Sequence, residues 1–369
     1  MANKIVTVYI GRFQPLHLGH VHVLEHALAQ SDLVVVLVGS AHQARTIKNP
    51  FTYEERELLI QRWKVGANYD GHFKVCPLAD QPYNDAKWIQ SVQEQVYRAI
   101  DEARLKRDEV EIRLTGSDRD DSTWYLSAFP QWKSDLLPKV PEGRDLSATA
   151  LRRRLFERSS IWDMSPPAWK DVPPVTYKFL LVKFLESEAY DQLQDEYDFI
   201  EKYKSAWKAA PYAPTFVTVD NVVIQSGHVL VVERGALPGK GLWALPGGFV
   251  DQSERLQSAA IRELVEETGI KVPEGILRGS IRAKEIFDHP DRSLRGRTIT
   301  TAFLIRLDDT KPLPKVKGQN APLHETGGKA VVETAKAFWL PIHEARANSQ
   351  NWFEDHHAIL DTMLGMIKD

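Results

Sequence analysis

One stretch restricts what this 369-residue chain can fold into more than any other: residues 248–270, GFVDQSERLQSAAIRELVEETGI. Glu263, Glu266 and Glu267 stand at i, i+3 and i+4, so on a helix they share one face. Three crowded carboxylates repel one another unless a cation sits between them, and hard divalent ions take oxygen ligands of this kind. Gly269 stands where such a helix needs a left-handed stop. Leu256, Ala260 and Leu264 supply the opposite face, expected to be buried. A merely solvated acidic helix accounts for the glutamates. It does not account for Gly247-Gly248 after Pro246, for Glu254 six residues beyond Gly248, or for Arg262 beside Glu263.

With every fixed position filled, this segment resembles the box of the Nudix hydrolases. The resemblance implies that Glu263, Glu266 and Glu267 bind the metal with the carbonyl of Gly248, the ion being Mg²⁺ with Mn²⁺ as a substitute. Arg262 would orient a box glutamate through a charged hydrogen bond. The metal would bridge a diphosphate while water attacks phosphorus. The segment that follows, FDHPDRSLRGRTITTAFLI (287–305), resembles Nudix enzymes and sensors that bind ADP-ribose. By that resemblance Arg292, Arg295 and Arg297 are candidates for the diphosphate or terminal ribose; the alternative for each is a surface ion pair. The box does not fix the general base, for which Glu325 and Glu333 are named. Residues 312–333 are long for a structureless loop, so a lid is expected there. Residues 337–345, AFWLPIHEA, read as the last strand and the start of a C-terminal helix.

The first half is a second enzyme-like unit. KIVTVYI (4–10) and LVVVLVGS (33–40) read as buried parallel strands around a helix that ends near Gln30. In such βαβ units ligands bind beyond the C-terminal strand ends. His17, Gly19 and His20 lie at that edge. HLGH is the His-x-Gly-His signature of the nucleotidylyltransferase superfamily. The extended GRFQPLHLGH resembles archaeal-type nicotinamide mononucleotide adenylyltransferases, and segments 39–56, 80–92 and 147–152 follow in that family's order. The likeness covers about residues 4–160.

In that family a mononucleotide phosphate attacks the α-phosphate of ATP and pyrophosphate leaves. No protein nucleophile is needed. The protein holds two anions in line and stabilises the growing charge. The resemblance implies an ATP site of Gly11, Arg12, Phe13, His17, Gly19, His20, Ser147, Thr149 and Arg152, with Mg²⁺ on the triphosphate. His17, His20 and Arg152 would act on the reacting phosphates. Arg45, Asp80, Asn84 and Trp88 would bind nicotinamide mononucleotide, Trp88 as the stacking platform. Arg56 is expected either at phosphate or in a surface salt bridge. His22 and His26 read as ordinary helix residues.

The fold expected is α/β: an N-terminal Rossmann-like nucleotidylyltransferase domain with a parallel sheet, and a C-terminal Nudix α/β/α sandwich with a mixed sheet. The expected division is 1–190, a helical linker at 191–206, and 207–369. Pro166, Pro167, Pro173 and Pro174 interrupt the chain before an aromatic helical stretch. There Tyr177, Leu180, Leu181, Phe184 and Leu185 recur at packing spacing. The net charge of −3 gives no global basic field for nucleic acid, although Arg152–Arg154 form a local basic run. One cysteine, Cys76, excludes an internal disulfide and fits a reducing cytoplasm. No apolar run approaches the ~20 residues of a membrane helix, and the first residues read as a strand and not a signal peptide. GALPGKG (235–241) looks like a P-loop but has three residues between its glycines where four are needed.

The whole chain resembles bifunctional proteins that fuse the two domains. It is expected to use ATP, nicotinamide mononucleotide and ADP-ribose, without nucleic acid or membrane. The alternatives are a nicotinic acid mononucleotide acceptor, another nucleoside diphosphate derivative, or a metabolite sensor. The complete box argues against the sensor, and the sequence does not indicate an oligomeric state.

Overall fold

Residues 4–66, 72–117, 125, 127–137, 147–157, 169–316, 325–326, 329–330 and 334–367 are described by a computed structural model. The chain divides into two units, Met1–Gln194 and Asp195–Asp369. No helix among the described residues is long and apolar enough to cross a membrane.

The first unit runs β1 (Lys4–Gly11), α1 (Leu18–Gln30), β2 (Leu33–Val38), α2 (Tyr53–Gly66), β3 (His72–Pro77), α3 (Asp85–Glu102), β4 (Val110–Ser117), β5 (Lys133–Leu137) and α4 (Ala148–Phe156). Its five strands are all parallel, in the order β3-β2-β1-β4-β5. Strand β2 is buried at every residue, as expected of a β-branched apolar run covered on both faces. The strand order reverses direction at β1, with β2 on one side and β4 on the other. That is a topological switch point, where open α/β sheets bind ligands. Seven residues after Gly11 the chain enters α1, so the GRFQPLHLGH segment lies at this crevice.

The aromatic stretch after the prolines forms α5 (Pro174–Phe179), a π-helical turn (Leu180–Phe184) and α6 (Glu188–Ser205). Leu180 and Phe184 are buried, while Tyr177, Leu181 and Leu185 are half-buried. Phe51 meets Phe179 and Phe184 edge-on, at centroid distances of 5.8 and 4.7 Å. This stretch therefore completes the core of the first unit.

The second unit contains β6 (Thr215–Gln225), β7 (His228–Arg234), β8 (Trp243–Ala244), β9 (Gly247–Phe249), α7 (Leu256–Thr268), α8 (Glu274–Gly279), β10 (Ile281–Phe287) and β11 (Arg297–Arg306). A short pair, β12 (Glu325–Thr326) and β13 (Lys329–Ala330), precedes β14 (Thr334–Pro341), α9 (Ile342–Ala347) and α10 (His356–Leu364). The sheet is mixed: β11 runs parallel to β6, and the other pairs are antiparallel. The last strand and following helix match the reading of residues 337–345.

Helix α7 packs Ala259, Ala260, Ile261 and Leu264 against Val219, Val223, Leu230, Phe303 and Ile305. Each fully buried Leu or Ile contributes ~1.5–3 kcal/mol. Leu256 departs from the expectation. It stands in the first turn, ahead of the packed surface, and is 37% exposed. The expected lid (312–333) and the named bases fall largely outside the described residues. Glu333 lies outside them altogether, and of Glu325 only the backbone is described.

Candidate active sites

In the first unit, His17 is the N-cap of α1. Its Nδ1 accepts from the backbone N–H of Gly19 (3.1 Å) and of His20 (3.4 Å). His20 Nδ1 in turn accepts from His17 N–H at 3.3 Å. Histidine here fills the capping-box role usually taken by Ser or Thr with Glu. Because each Nδ1 accepts a backbone proton, the proton of each neutral ring belongs on Nε2. The two imidazoles stack with centroids 3.7 Å apart, and Phe13 lies 4.7 Å from His20. His17 is buried and His20 half-buried.

Ser147 caps α4 through an acceptor bond from Ala150 N–H at 3.4 Å. Arg152, one turn further on, is buried and donates to Thr149 Oγ1 (3.1 Å) and to the Gln14 carbonyl (2.8 Å). Residues 14 and 152, 138 positions apart, are thereby joined. Burial, and secondarily the Arg12 guanidinium, push Arg152 down to about 10. Two guanidiniums held within mutual influence favour an anion between them.

The expected mononucleotide residues form a second group. Asp80 accepts from Ser40 N–H (3.0 Å), Ser40 Oγ (2.6 Å) and Gln43 Nε2 (3.2 Å). Asn84 caps α3 by accepting from Lys87 N–H at 2.9 Å. Trp88 is half-buried against Tyr125 and Phe129, with centroids at 6.0 and 6.3 Å. Arg45 forms a two-pronged pair with Glu55, at 2.7 and 2.9 Å. Arg56 fits neither expectation. It is buried and donates to the carbonyls of Arg12, Gly39, Ser40 and Thr52, tying the post-β1 and post-β2 loops together. Guanidinium donors suit that task because they are fixed in a planar fork.

In the second unit, Arg262 gathers the box. Its guanidinium donates to Glu254 (2.5 Å), Glu263 (2.8 Å), Glu266 (3.1 Å) and the Phe249 carbonyl (3.2 Å). The Arg262 hydrogen bond holds the Glu254 carboxyl below the usual carboxylate range. Glu267, on the buried side of α7, accepts from Gly247 N–H at 2.9 Å. A Cβ on Gly248 would lie 2.6–2.8 Å from the Glu263 carboxyl group, so only glycine lets β9 come this close. Gly269 ends α7 with φ +58°, as its position predicted. Among the described residues, no three His, Cys, Asp or Glu side chains already enclose a cation position. Glu263 and Glu266 are drawn to Arg262, and Glu267 is turned to β9.

A cleft opens beside Gly247, Gly248 and Glu267, with Arg292 and Arg295 in its wall. Arg292 is buried and pairs with Asp355 through two bonds of 2.9 and 2.8 Å, with Asp220 at 3.9 Å. Burial opposes its charge, but Asp355 and Asp220 outweigh that and raise its pKa. Arg295 lies over the Phe249 ring at 5.3 Å. Arg297 does not line the cleft; it bonds the Asp288 carbonyl.

The sequence reading did not select several residues of this cleft: Asp220, Arg234, Phe353, Glu354 and His356. Three of these come from residues 353–356, and the only signal was the run of aromatic, acidic and histidine residues in WFEDHH (352–357). Burial holds the carboxyls of Asp220 and Glu354 above the usual range. Burial, with Arg292 and Arg234 nearby, pushes His356 down to about 3. Its Nδ1 accepts from Leu245 N–H at 2.9 Å, in keeping with a neutral ring.

Comparison with known proteins finds a family model for each half of the chain. A Cytidylyltransferase-like model matches residues 8–154 and a NUDIX domain model matches residues 214–362. The nicotinamide/nicotinic acid mononucleotide adenylyltransferase of Acinetobacter baylyi is 36% identical over 190 residues, covering 52% of this chain and 92% of that protein. The ADP-ribose pyrophosphatase of Methanocaldococcus jannaschii is 34% identical over 106 residues, 29% of this chain and 59% of that one. A crystal structure of a bifunctional NMN adenylyltransferase/ADP ribose pyrophosphatase from Francisella tularensis, complexed with AMP and a manganese ion, is 32% identical with a TM-score of 0.82. That alignment covers 98% of this chain and 99% of the other. With both domain models matched in order and the likeness running the full length, the chain belongs to the bifunctional NMN adenylyltransferase/ADP-ribose pyrophosphatase family.

Proposed function

We propose that residues 1–190 transfer AMP from ATP to nicotinamide mononucleotide, and that residues 207–369 hydrolyse ADP-ribose. In the first reaction a phosphate oxygen of the mononucleotide attacks the α-phosphorus, the bond to the β-phosphate oxygen breaks, and NAD and pyrophosphate leave. In the second, water attacks a phosphorus of the diphosphate, the P–O–P bridge breaks, and AMP and ribose 5-phosphate form.

The observation that carries the transferase reading is the anion-seeking crevice at the switch point: two stacked histidines at the start of α1, with Arg12 and buried Arg152. Gly11, Phe13 and Gly19 shape the loop and leave room for phosphate. His17 and His20 donate from Nε2 to the phosphates. Ser147, Thr149 and Arg152 hold the outer ones at the start of α4. Asp80, Asn84 and Trp88 receive the mononucleotide. Arg45 serves there if its pair with Glu55 opens.

The hydrolase reading is carried by Glu254 and the α7 carboxylates Glu263 and Glu266, gathered on one guanidinium beside Gly248. All-oxygen donors with this charge fit a divalent cation such as Mg²⁺, with Mn²⁺ as its substitute. Glu263, Glu266, Glu267 and the Gly248 carbonyl would hold it. When bound, such an ion neutralises diphosphate charge and lowers the pKa of water. Arg262 keeps the glutamates oriented, and Arg295 in the cleft wall meets the substrate's anionic part. All the substrates are soluble nucleotides, and we assign the protein to the cytoplasm.

The test is a product assay with Mg²⁺, giving the protein nicotinamide mononucleotide plus ATP in one reaction and ADP-ribose in another. NAD in the first and AMP in the second are expected. NAD without AMP would leave the second unit as a sensor or as a hydrolase of another diphosphate.

A further inference from the structure

The three residues that lead into the box, Leu245, Pro246 and Gly247, each have a backbone group held by a buried side chain from elsewhere in the second unit. Leu245 N–H donates to His356 Nδ1 at 2.9 Å. The Pro246 carbonyl accepts from Asn221 Nδ2 at 3.1 Å and from the Asn221 backbone N–H at 2.8 Å. Gly247 N–H donates to Glu267 at 2.9 Å. Asn221 Nδ2 also donates to the Ala260 carbonyl at 2.9 Å, so one amide ties this strand to α7. Asn221 is fully buried and His356 nearly so. A main-chain tie sets the reach of His356: Phe353 N–H donates to the Trp243 carbonyl at 2.8 Å, and His356 N–H to the Phe353 carbonyl at 3.1 Å.

At Leu245–Pro246 the chain passes from its ladder with β7, through Trp243 and Ala244, to its ladder with β6, through Gly247 to Phe249. What the crossing locates is Gly248, which pairs with Val219 on one side and lies against the Glu263 carboxyl group on the other. Gly247 is wedged as tightly: a Cβ there would collide with the Val219 carbonyl. We propose that His356 and Asn221 are positioning residues of the hydrolase: they fix the crossing at Leu245–Pro246 and so hold the Gly248 carbonyl beside Glu263 for a shared divalent cation. The proposal rests on the cation reading of the box. Neither side chain is a ligand; each acts through the backbone it holds. Groups that orient ligands in this way govern metal affinity by about 10–100-fold. His356 serves as an acceptor, a role that asparagine Oδ1 can fill from the same position as Nδ1. Leucine would fill the space and leave Leu245 N–H buried without a partner.

The experiment measures Mn²⁺ binding to the full, substrate-free chain by electron paramagnetic resonance of the free ion, well below the melting midpoint of each protein. The wild type is compared with His356→Leu and His356→Asn, and Glu267→Gln identifies which binding belongs to the box. Kd should rise about tenfold in His356→Leu and stay within about twofold of the wild type in His356→Asn. A residue with only a structural role would lower the melting midpoint and leave the Kd of the folded protein unchanged, so a folded His356→Leu with wild-type affinity overturns the proposal. A His356→Asn as weak as His356→Leu also overturns it, because the acceptor is then not what matters. Should His356→Leu not fold, Asn221→Ala decides from the other side of the strand: a loss of about tenfold is expected, and wild-type affinity overturns the proposal. A wild type with no Mn²⁺ binding that depends on Glu267 defeats the cation reading, and the proposal falls with it. Glu267-dependent binding that neither His356→Leu nor Asn221→Ala weakens overturns the proposal alone.

Discussion

The two sites handle the same kind of group, a chain of phosphates, with opposite electrostatics. The first unit gathers donors and cations: stacked His17 and His20 at the start of α1, with Arg152 buried under the influence of Arg12. The second gathers anions: Glu254, Glu263 and Glu266 around Arg262, with Glu267 against β9. A helix N-terminus meets phosphate directly, through its own N–H groups. A helix side face bearing carboxylates meets phosphate only through a metal. The lesson is that the part of a helix turned to the ligand decides whether the protein or a metal ion supplies the positive charge.

The sharpest test of this contrast is a double separation. Glu267→Gln removes a proposed metal ligand and should lower ADP-ribose hydrolysis by about a thousandfold, the loss of several kcal/mol of charge stabilisation. NAD formation should be unaffected. His20→Ala removes one preorganised donor and should lower NAD formation by about a hundredfold, sparing the hydrolase. If either substitution silences both activities in a folded protein, the sites are not independent.

Arg292 probes where the contrast blurs, because this cation of the second site is spent on Asp355. Arg292→Met leaves Asp355 and Asp220 buried without their partner. Denaturant unfolding of the second unit should show a loss of about 3–5 kcal/mol. A change confined to KM at full stability would mean that Arg292 serves substrate and not the fold.

Acid stability follows from His356, pushed down to about 3 in the folded chain. The unfolded chain, with an ordinary histidine near 6.5, binds the proton first as pH falls. Stability from this residue is therefore complete above about pH 6.5 and is lost progressively toward pH 3. Melting midpoints across that window should fall more steeply in the wild type than in His356→Asn. Parallel curves would contradict a neutral buried ring.

The smallest effect separates the two arginines that the sequence treated alike. Arg295→Ala should raise KM for ADP-ribose about tenfold, the loss of a charged contact. Arg297→Ala should change it less than about twofold, since Arg297 lies outside the cleft. Equal effects would place both at the substrate.

Much of this was legible because it is local. The spacing of Glu263, Glu266 and Glu267, the stop at Gly269, and the place of His17 at the start of α1 each depend on residues within one or two helical turns. Helical and strand periods convert such spacing directly into shared faces. The parallel and mixed sheets could be read for the same reason, from short apolar runs and their connections.

Contacts across long separations were decided by the tertiary structure. Sequence named Arg292, Arg295 and Arg297 together, but only packing put Asp355, 63 residues away, on Arg292 and left Arg297 outside. Arg56 offered no sign that four carbonyls would take its donors. Leu256 kept the right helical phase yet lay beyond the surface that buries its neighbours. Residues 353–356 became a cleft wall only once the sheet had brought them beside Gly247. Spacing along one element fixes which side chains share a face; what that face meets, and whether it is buried, depends on chain segments that no local period encodes.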